Sequence, residues 1–142
     1  MAGSLPFVTA GFEEVEHTAE WAYRVWARTV EELFVQAAIG LYALAGVQLE
    51  AEPPCERMVE LEAMDTVSLL VAWLNELLYL FESEGLGFKR FHVRQLNTHA
   101  LRIQAIGAPV HSWQKYIKAA TYSNLSIQTT ATGVETTIVL DV

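Results

Sequence analysis

The chain is poor in the residues that build covalent or metal cross-links. Its 142 residues include one cysteine, Cys55, which excludes an internal disulfide and any zinc site built on cysteine pairs. That thiol follows Pro53 and Pro54 and reads as a strand-edge residue rather than a nucleophile. The four histidines, His17, His92, His99 and His111, lack the i, i+3 or i+4 spacing of a helix-borne zinc site. Long apolar runs are missing as well. The longest candidate, Val67 to Phe81, is interrupted by Ser68, Asn75 and Glu76 and falls short of the roughly 20 residues that cross a bilayer. Met1 to Phe12 holds no lysine or arginine and places Pro6 inside its short apolar part. It does not read as a secretory signal, so the expectation is a cytoplasmic protein that does not meet a membrane. There is no phosphate-binding GxxxxGKS/T loop, no dinucleotide fingerprint and no GxSxG elbow, which removes the commonest catalytic templates.

Basic residues are scarce and unevenly placed. Lysine and arginine number nine against seventeen acids, for a net charge of −8. From Met1 to Glu84 there are three basic and fifteen acidic residues. From Gly85 to Val134 there are six basic residues, Lys89, Arg90, Arg94, Arg102, Lys115 and Lys118, and no acid. Such asymmetry fits a bipolar surface that docks on a charged partner, and equally a plain difference in composition between strands and helices. An acidic total speaks against tight independent binding to nucleic acid, whose affinity comes mainly from neutralised phosphates.

What is present is a core. Apolar residues make up 52% of the chain, enough for one ordered domain of this length. Met1–Gly11 reads as a tail, residues 12–142 as the domain, and Glu50–Pro54 as a linker within it. Phe12–His17 reads as a strand and Thr18–Glu20 as a turn. Trp21–Arg28 alternates and predicts a strand covered on both faces. Thr29-Val-Glu-Glu32 has the spacing of a capping box, in which Glu32 also reaches back to the cap. The helix it opens carries Val30, Leu33, Phe34, Ala37, Ala38, Leu41 and Leu44 on one stripe and stops at Gly46. Met58–Met64 alternates as a half-buried strand. Asp65 caps a second helix that ends at Gly85; its polar stripe, Ser68, Asn75, Glu76, Tyr79 and Glu82, is so narrow that the helix must lie between layers. Strands follow around Phe91–Val93 and Leu101–Ala105, joined by a turn at Asn97–His99, then at Lys118–Tyr122, Leu125–Gln128 and Glu135–Asp141. Two helices and about seven strands without regular alternation predict an α+β domain, sandwich-like, with helices packed on mainly antiparallel sheet.

Five stretches, in order, resemble the archease family: His17-Thr-Ala-Glu20; Thr29-Val-Glu-Glu-Leu-Phe34; Trp73-Leu-Asn-Glu-Leu-Leu-Tyr-Leu-Phe81; Lys118-Ala-Ala-Thr-Tyr122; and Ile138-Val-Leu-Asp-Val142. The third is the most specific, because amphipathicity accounts for its leucines but not for Asn75 and Glu76 between a tryptophan and a tyrosine. The resemblance implies a protein that is not itself an enzyme. Archeases assist the GTP-dependent tRNA-splicing ligase, favouring its guanylylation and repeated turnover, so that the ligase is the expected partner and RNA is met only indirectly. The resemblance also implies an acidic divalent-metal site, which falls here on Glu20, Asp141 and the carboxylate of Val142. It gives Lys118 a functional role, and places His17 beside the metal motif as a partner- or phosphate-contacting residue.

Elementary chemistry is consistent with those assignments. Asp141 alternates with the apolar Ile138 and Leu140, so its carboxylate need not enter the core. Oxygen-only ligands suit a hard cation, Ca²⁺ more than Mg²⁺, and three carboxylates would barely begin to fill the roughly 6–8 positions of calcium. The site would be weak alone and completed by the partner or by phosphate, which Lys118 could steer as a point charge. Two departures stand out. Glu20 occupies the place of the family's usual aspartate, and Ser123 follows Thr121-Tyr122 where a histidine is common. Two other readings stay open: an adaptor or chaperone-like module that keeps the fold without activating a ligase, and a hydrolase using Glu20 and Asp141 as a carboxylate pair.

Overall fold

In the computed structural model, residues 9–15 and 21–142 are described. The strands are β1 (Gly11–Val15), β2 (Trp21–Ala27), β3 (Gln48–Leu49), β4 (Cys55–Glu62), β5 (Leu86–Leu96), β6 (Ala100–Ser112), β7 (Ala119–Ala120), β8 (Gln128–Thr129) and β9 (Val134–Asp141). The helices are α1 (Val30–Ala45) and α2 (Thr66–Glu84). One sheet runs β1-β2-β9-β7, with β8 also on β9. The other is centred on β6, which pairs with β3, β4 and β5. Every pairing is antiparallel.

Both helices lie between the sheets. α1 packs on β1, β2 and β9 from one sheet and on β5 from the other; α2 packs on β4, β5 and β6 and reaches β7. This is why α2 is apolar almost all round: Leu69, Leu70, Val71, Trp73, Leu74, Leu77, Leu78 and Leu80 are all buried. The helix ends are set locally. Thr29 Oγ1 accepts the Glu32 N–H at 3.1 Å and Asp65 Oδ1 accepts the Ser68 N–H at 2.8 Å, each satisfying a donor that the first turn leaves free. Gly46 (φ 68°) and Gly85 (φ 70°) close the two helices in the left-handed conformation. Two buried donors tie the layers together at α1. Tyr23 donates its hydroxyl to the Ala37 carbonyl at 2.7 Å, and Trp73 donates its indole N–H to the Phe34 carbonyl at 2.9 Å. The Trp73 ring also meets Phe91 of the second sheet edge-on, 5.7 Å between centroids.

Among the described residues both expected helices and most of the expected strands are present, with corrections, and β3 is an addition. The turn expected at Thr18–Glu20, the end of the Phe12–His17 strand and most of the Met1–Gly11 tail lie outside the described residues. Leu125–Gln128 is not a strand. It leads out of a turn in which Asn124 has φ 50° and the Leu125 N–H bonds to the Tyr122 carbonyl, and pairing starts only at Gln128. The strand expected over Lys118–Tyr122 shrinks to Ala119–Ala120. β4 begins earlier than expected, at Cys55. The Asn97–His99 turn is present, with the Asn97 side chain accepting from both the His99 and Ala100 N–H groups at 2.9 Å. Two register shifts in β5, at Phe88/Arg90 and Val93/Gln95, break its alternation.

Candidate functional site

Three of the motif stretches, Trp73–Phe81, Lys118–Tyr122 and Ile138–Val142, meet at one end of the first sheet, where β9 finishes. Leu140 is flanked by Trp21 of β2 on one side and Ala120 of β7 on the other, and Asp141 is paired with Ala119. The Lys118 N–H donates to the Asp141 carbonyl at 2.7 Å. Thr121 closes the ladder by donating both its N–H and its hydroxyl to the Val139 carbonyl, each at 3.0 Å. A two-residue strand has little to hold it, and here the support comes from α2. Asn75 donates its amide to the Ala120 carbonyl at 3.2 Å and accepts the Ala120 N–H on Oδ1 at 2.8 Å. Its side chain acts as a substitute strand, satisfying both main-chain groups of one residue. That is the reason for an asparagine in the Trp73–Phe81 stretch, which periodicity leaves unexplained. Glu76 beside it is half-buried, and burial pushes its carboxyl above the usual carboxylate range.

The segment leading into β7 is pinned at its start too. The Gln114 and Lys115 N–H groups both reach the Ala45 carbonyl at the end of α1, each at 3.0 Å. Trp113 stacks on Phe81, 4.2 Å between centroids and 19° between planes, and donates its indole N–H to the Lys115 carbonyl at 2.7 Å. Lys115 Nζ lies 4.9 Å from the centre of the Trp21 ring, a cation–π distance. Trp21 in turn donates to the Glu14 carboxylate.

Of the residues singled out in the sequence, Asp141, Val142 and Lys118 are brought to this one end and are all exposed. His17 and Glu20 lie outside the described residues. The residue that follows Glu20, Trp21, is paired with the residue that precedes Asp141. Among the described residues there is no group of three or more His, Cys, Asp or Glu side chains placed to hold a metal. Asp141, exposed at the end of β9, is therefore too little by itself for the oxygen shell of a hard cation. Ser123 sits in the turn after β7, its N–H directed to Thr121 Oγ1 at 3.3 Å, and Thr136 Oγ1 holds the far side of that turn through the Ser126 carbonyl at 2.7 Å.

Other candidates have structural employment. Cys55 is half-buried at the start of β4, and burial pushes its thiol up, away from thiolate chemistry. His111 pairs with Glu50 at 2.8 Å. A surface cleft of about 350 Å³ on the first sheet, lined by Glu13, Arg24, Trp26 and Glu135 among others, is already internally paired. Arg24 binds Glu13 at 2.9 Å, approaches Glu135 at 3.9 Å and lies 4.4 Å from the Trp26 ring centre. The six basic residues divide in two: Lys89, Arg90, Arg94 and Arg102 on β5 and β6, and Lys115 and Lys118 in the segment before β7. Among the described residues no helix is long and apolar enough to cross a membrane.

Comparison with known proteins agrees with this arrangement. The Archease protein family matches residues 12–142. The chain is 38% identical to the protein archease of Methanopyrus kandleri over 124 residues, 82% of this chain and 89% of that one. It is 34% identical to that of Methanosarcina mazei over 139 residues, 92% and 95% of the two chains. Among solved structures, protein 1598 of Methanobacterium thermoautotrophicum superposes with a TM-score of 0.69 at 25% identity, covering 93% of this chain and 99% of that one. An archease of Thermotoga maritima, described as a possible chaperone, shares the fold with a TM-score of 0.68 at 24% identity, covering 92% and 96%. The chain belongs to the archease family.

Proposed function

We propose that the protein activates a GTP-dependent tRNA-splicing ligase, promoting guanylylation of the ligase and its repeated turnover, without catalysing a reaction itself. The observation that carries this reading is the convergence at the end of β9. Asn75 clamps Ala120, and the Lys118 N–H is bonded to Asp141, so three separate motif stretches are built into one exposed end. A surface assembled from the Trp73–Phe81, Lys118–Tyr122 and Ile138–Val142 stretches suits contact with a partner better than turnover of a small substrate. Asp141 and the Val142 carboxylate, with Glu20, would hold a divalent cation, Ca²⁺ in preference to Mg²⁺ because a longer and more flexible donor such as Glu20 is better tolerated by the larger ion. His17 and Lys118 would face the partner or a phosphate on it. Cation binding is weak in isolation on this reading, and the ligase or phosphate oxygens complete the shell.

The test is multiple-turnover RNA ligation by the cognate ligase, at catalytic ligase concentration, with and without this protein. A large gain in turnover supports the reading. Absence of a gain with an active ligase rejects it and favours the second reading, an adaptor or chaperone-like module on the same fold. That alternative draws on the description of the Thermotoga maritima relative as a possible chaperone; it predicts protection of a client protein from aggregation instead.

A further inference from the structure

Three tyrosines face solvent; two of them, Tyr116 and Tyr122, belong to one strip, and the third, Tyr79, is on α2. Tyr23 and Tyr42 are buried, whereas Tyr79, Tyr116 and Tyr122 are 61%, 61% and 60% exposed. Residues 113–122 read Trp-Gln-Lys-Tyr-Ile-Lys-Ala-Ala-Thr-Tyr. Ile117 and Ala120 are buried while Lys115, Tyr116, Lys118 and Tyr122 are exposed, so the inward residues fix the strip and the outward ones are lysines and tyrosines in turn. α2 runs alongside, since Phe81 stacks on Trp113 and Asn75 binds Ala120. Tyr79, four residues after Asn75 on the same helix face, lies between those two contacts.

The strip is held rigidly, through the Ala45 carbonyl, the Asn75 amide and the end of β9. Large rings fixed in the open cost hydration free energy unless something covers them. The cover must tolerate two lysines three residues apart and the absence of any acid from Gly85 to Val134. Flat rings alternating with cations on a rigid strip are what single-stranded nucleic acid needs: bases stack on the rings irrespective of sequence and phosphates meet the ammonium groups. A protein helix would call for an apolar groove, and the exposed side chains here are lysines and tyrosines rather than aliphatic ones. A duplex hides its bases and offers the rings nothing to stack on.

We propose that this strip is a contact site for single-stranded RNA, with bases stacking on Tyr116 and Tyr122 and phosphates meeting Lys115 and Lys118. The proposal goes beyond the ligase-activator reading, and rests on it only for the biological setting, by giving the ligase's substrate a place on this chain. Affinity is modest, because the chain carries a net charge of −8 and two lysines neutralise about two phosphates. The logarithm of the binding constant then falls against that of salt with a slope of about −1.4.

The test is fluorescence anisotropy of a labelled oligouridine of about ten nucleotides, titrated with the full chain at low salt and without ligase. Tyr116→Ala and Tyr122→Ala are each expected to weaken binding about fivefold or more, whereas Tyr116→Phe, which keeps the ring, binds as the parent does. A duplex of equal length is expected to bind more weakly than the single strand. The proposal is overturned if the parent chain gives no anisotropy change, if the alanine variants bind as well as the parent, or if the duplex binds equally well. It is also overturned if the alanine variants lose association with the ligase in the absence of RNA while their RNA binding is unchanged, since the strip then docks protein. Failure of the activator reading shows separately, as no gain in ligation turnover whichever way the anisotropy falls.

Discussion

The Asn75 carboxamide and the main chain of Ala120 form a closed pair of hydrogen bonds, 3.2 Å outward from Nδ2 and 2.8 Å inward to Oδ1. Through that pair a helix buried between two sheets dictates where a two-residue strand lies. The strand in turn carries Lys118 to the end of β9. The motif end of the protein is therefore an extension of the core, joined to α2 by one amide and to β9 by the main chain of Lys118 and Thr121.

Asn75→Ala should consequently act on both stability and activity. It strips one N–H and one C=O of Ala120 of their partners in a half-buried place, at a cost of about 1–3 kcal/mol. Urea unfolding should show that loss with an unchanged slope. Ligase stimulation should fall further than the fraction of unfolded protein explains, because β7 loses its support even in folded molecules. Full stimulation by the folded variant would mean that β9 alone positions the segment.

The frame is legible in the sequence because its determinants are local. Thr29 and Asp65 are cap residues in front of apolar stripes, Gly46 and Gly85 terminate them, and all four do so here. The reciprocal half of the expected capping box, Glu32 back to the Thr29 N–H, is not among the hydrogen bonds observed; the Thr29 side chain alone makes the cap. Leu125–Gln128 imitates a strand because the alternation of Leu125 and Ile127 has a second cause. Both pack on the core from an irregular segment that Thr136 fastens by its hydroxyl. The site is legible only in part. Asp141 and Lys118 stand out by resemblance, but their meeting depends on the pairing of β7 with β9. The role of Asn75 depends on a partner 45 positions away, and no local pattern encodes that.

Asp141→Ala is expected to abolish ligase stimulation while the protein stays folded. The side chain is exposed at a strand end, and the bond from Lys118 uses the Asp141 main-chain carbonyl, so the alanine variant keeps it. Surface changes of this kind usually move stability by no more than about 0.5 kcal/mol. Thermal unfolding beside a ligation assay separates the two effects. Undiminished stimulation would remove Asp141 from the metal-site proposal.

Lys118→Ala should weaken stimulation with little change in melting temperature, for the same reason: its contribution to the fold is its N–H, which alanine retains. Lys118→Arg should restore less than full stimulation if the residue meets a phosphate as a point charge rather than as a planar fork. A large drop in melting temperature for Lys118→Ala would show that its aliphatic stem supports the strip instead.

Gly107→Ala tests the second sheet. A Cβ there would stand 1.8 Å from the Gly87 carbonyl oxygen and 2.6 Å from the Phe88 Cα, which are main-chain atoms that cannot swing away. β5 and β6 approach each other too closely at this point for any side chain, and relief requires separating the two longest strands. Destabilisation of more than about 3 kcal/mol is expected, outside the usual range for a single substitution. A variant with near-parental stability would show that the strands part here at little cost.

The cap of α2 should leave a signature in acid. The Ser68 N–H bound to Asp65 Oδ1 at 2.8 Å, followed by the Ser68 side chain, holds the Asp65 carboxyl below the usual carboxylate range. Because the folded value lies below the unfolded one, ionised Asp65 contributes stability that is present above the ordinary aspartate value of about 3.9. That contribution is lost as pH falls through the lower, folded value. An asparagine side chain at this position would cap almost as well but carries no charge for the helix dipole and does not titrate. Asp65→Asn should therefore be somewhat less stable than the parent at neutral pH. The difference should hold steady down to about pH 5 and close as the solution is taken toward pH 3. Denaturant unfolding of both proteins across that range measures it. A gap that stayed constant into strong acid would mean that the carboxylate charge contributes nothing to the cap, and that geometry alone starts the helix.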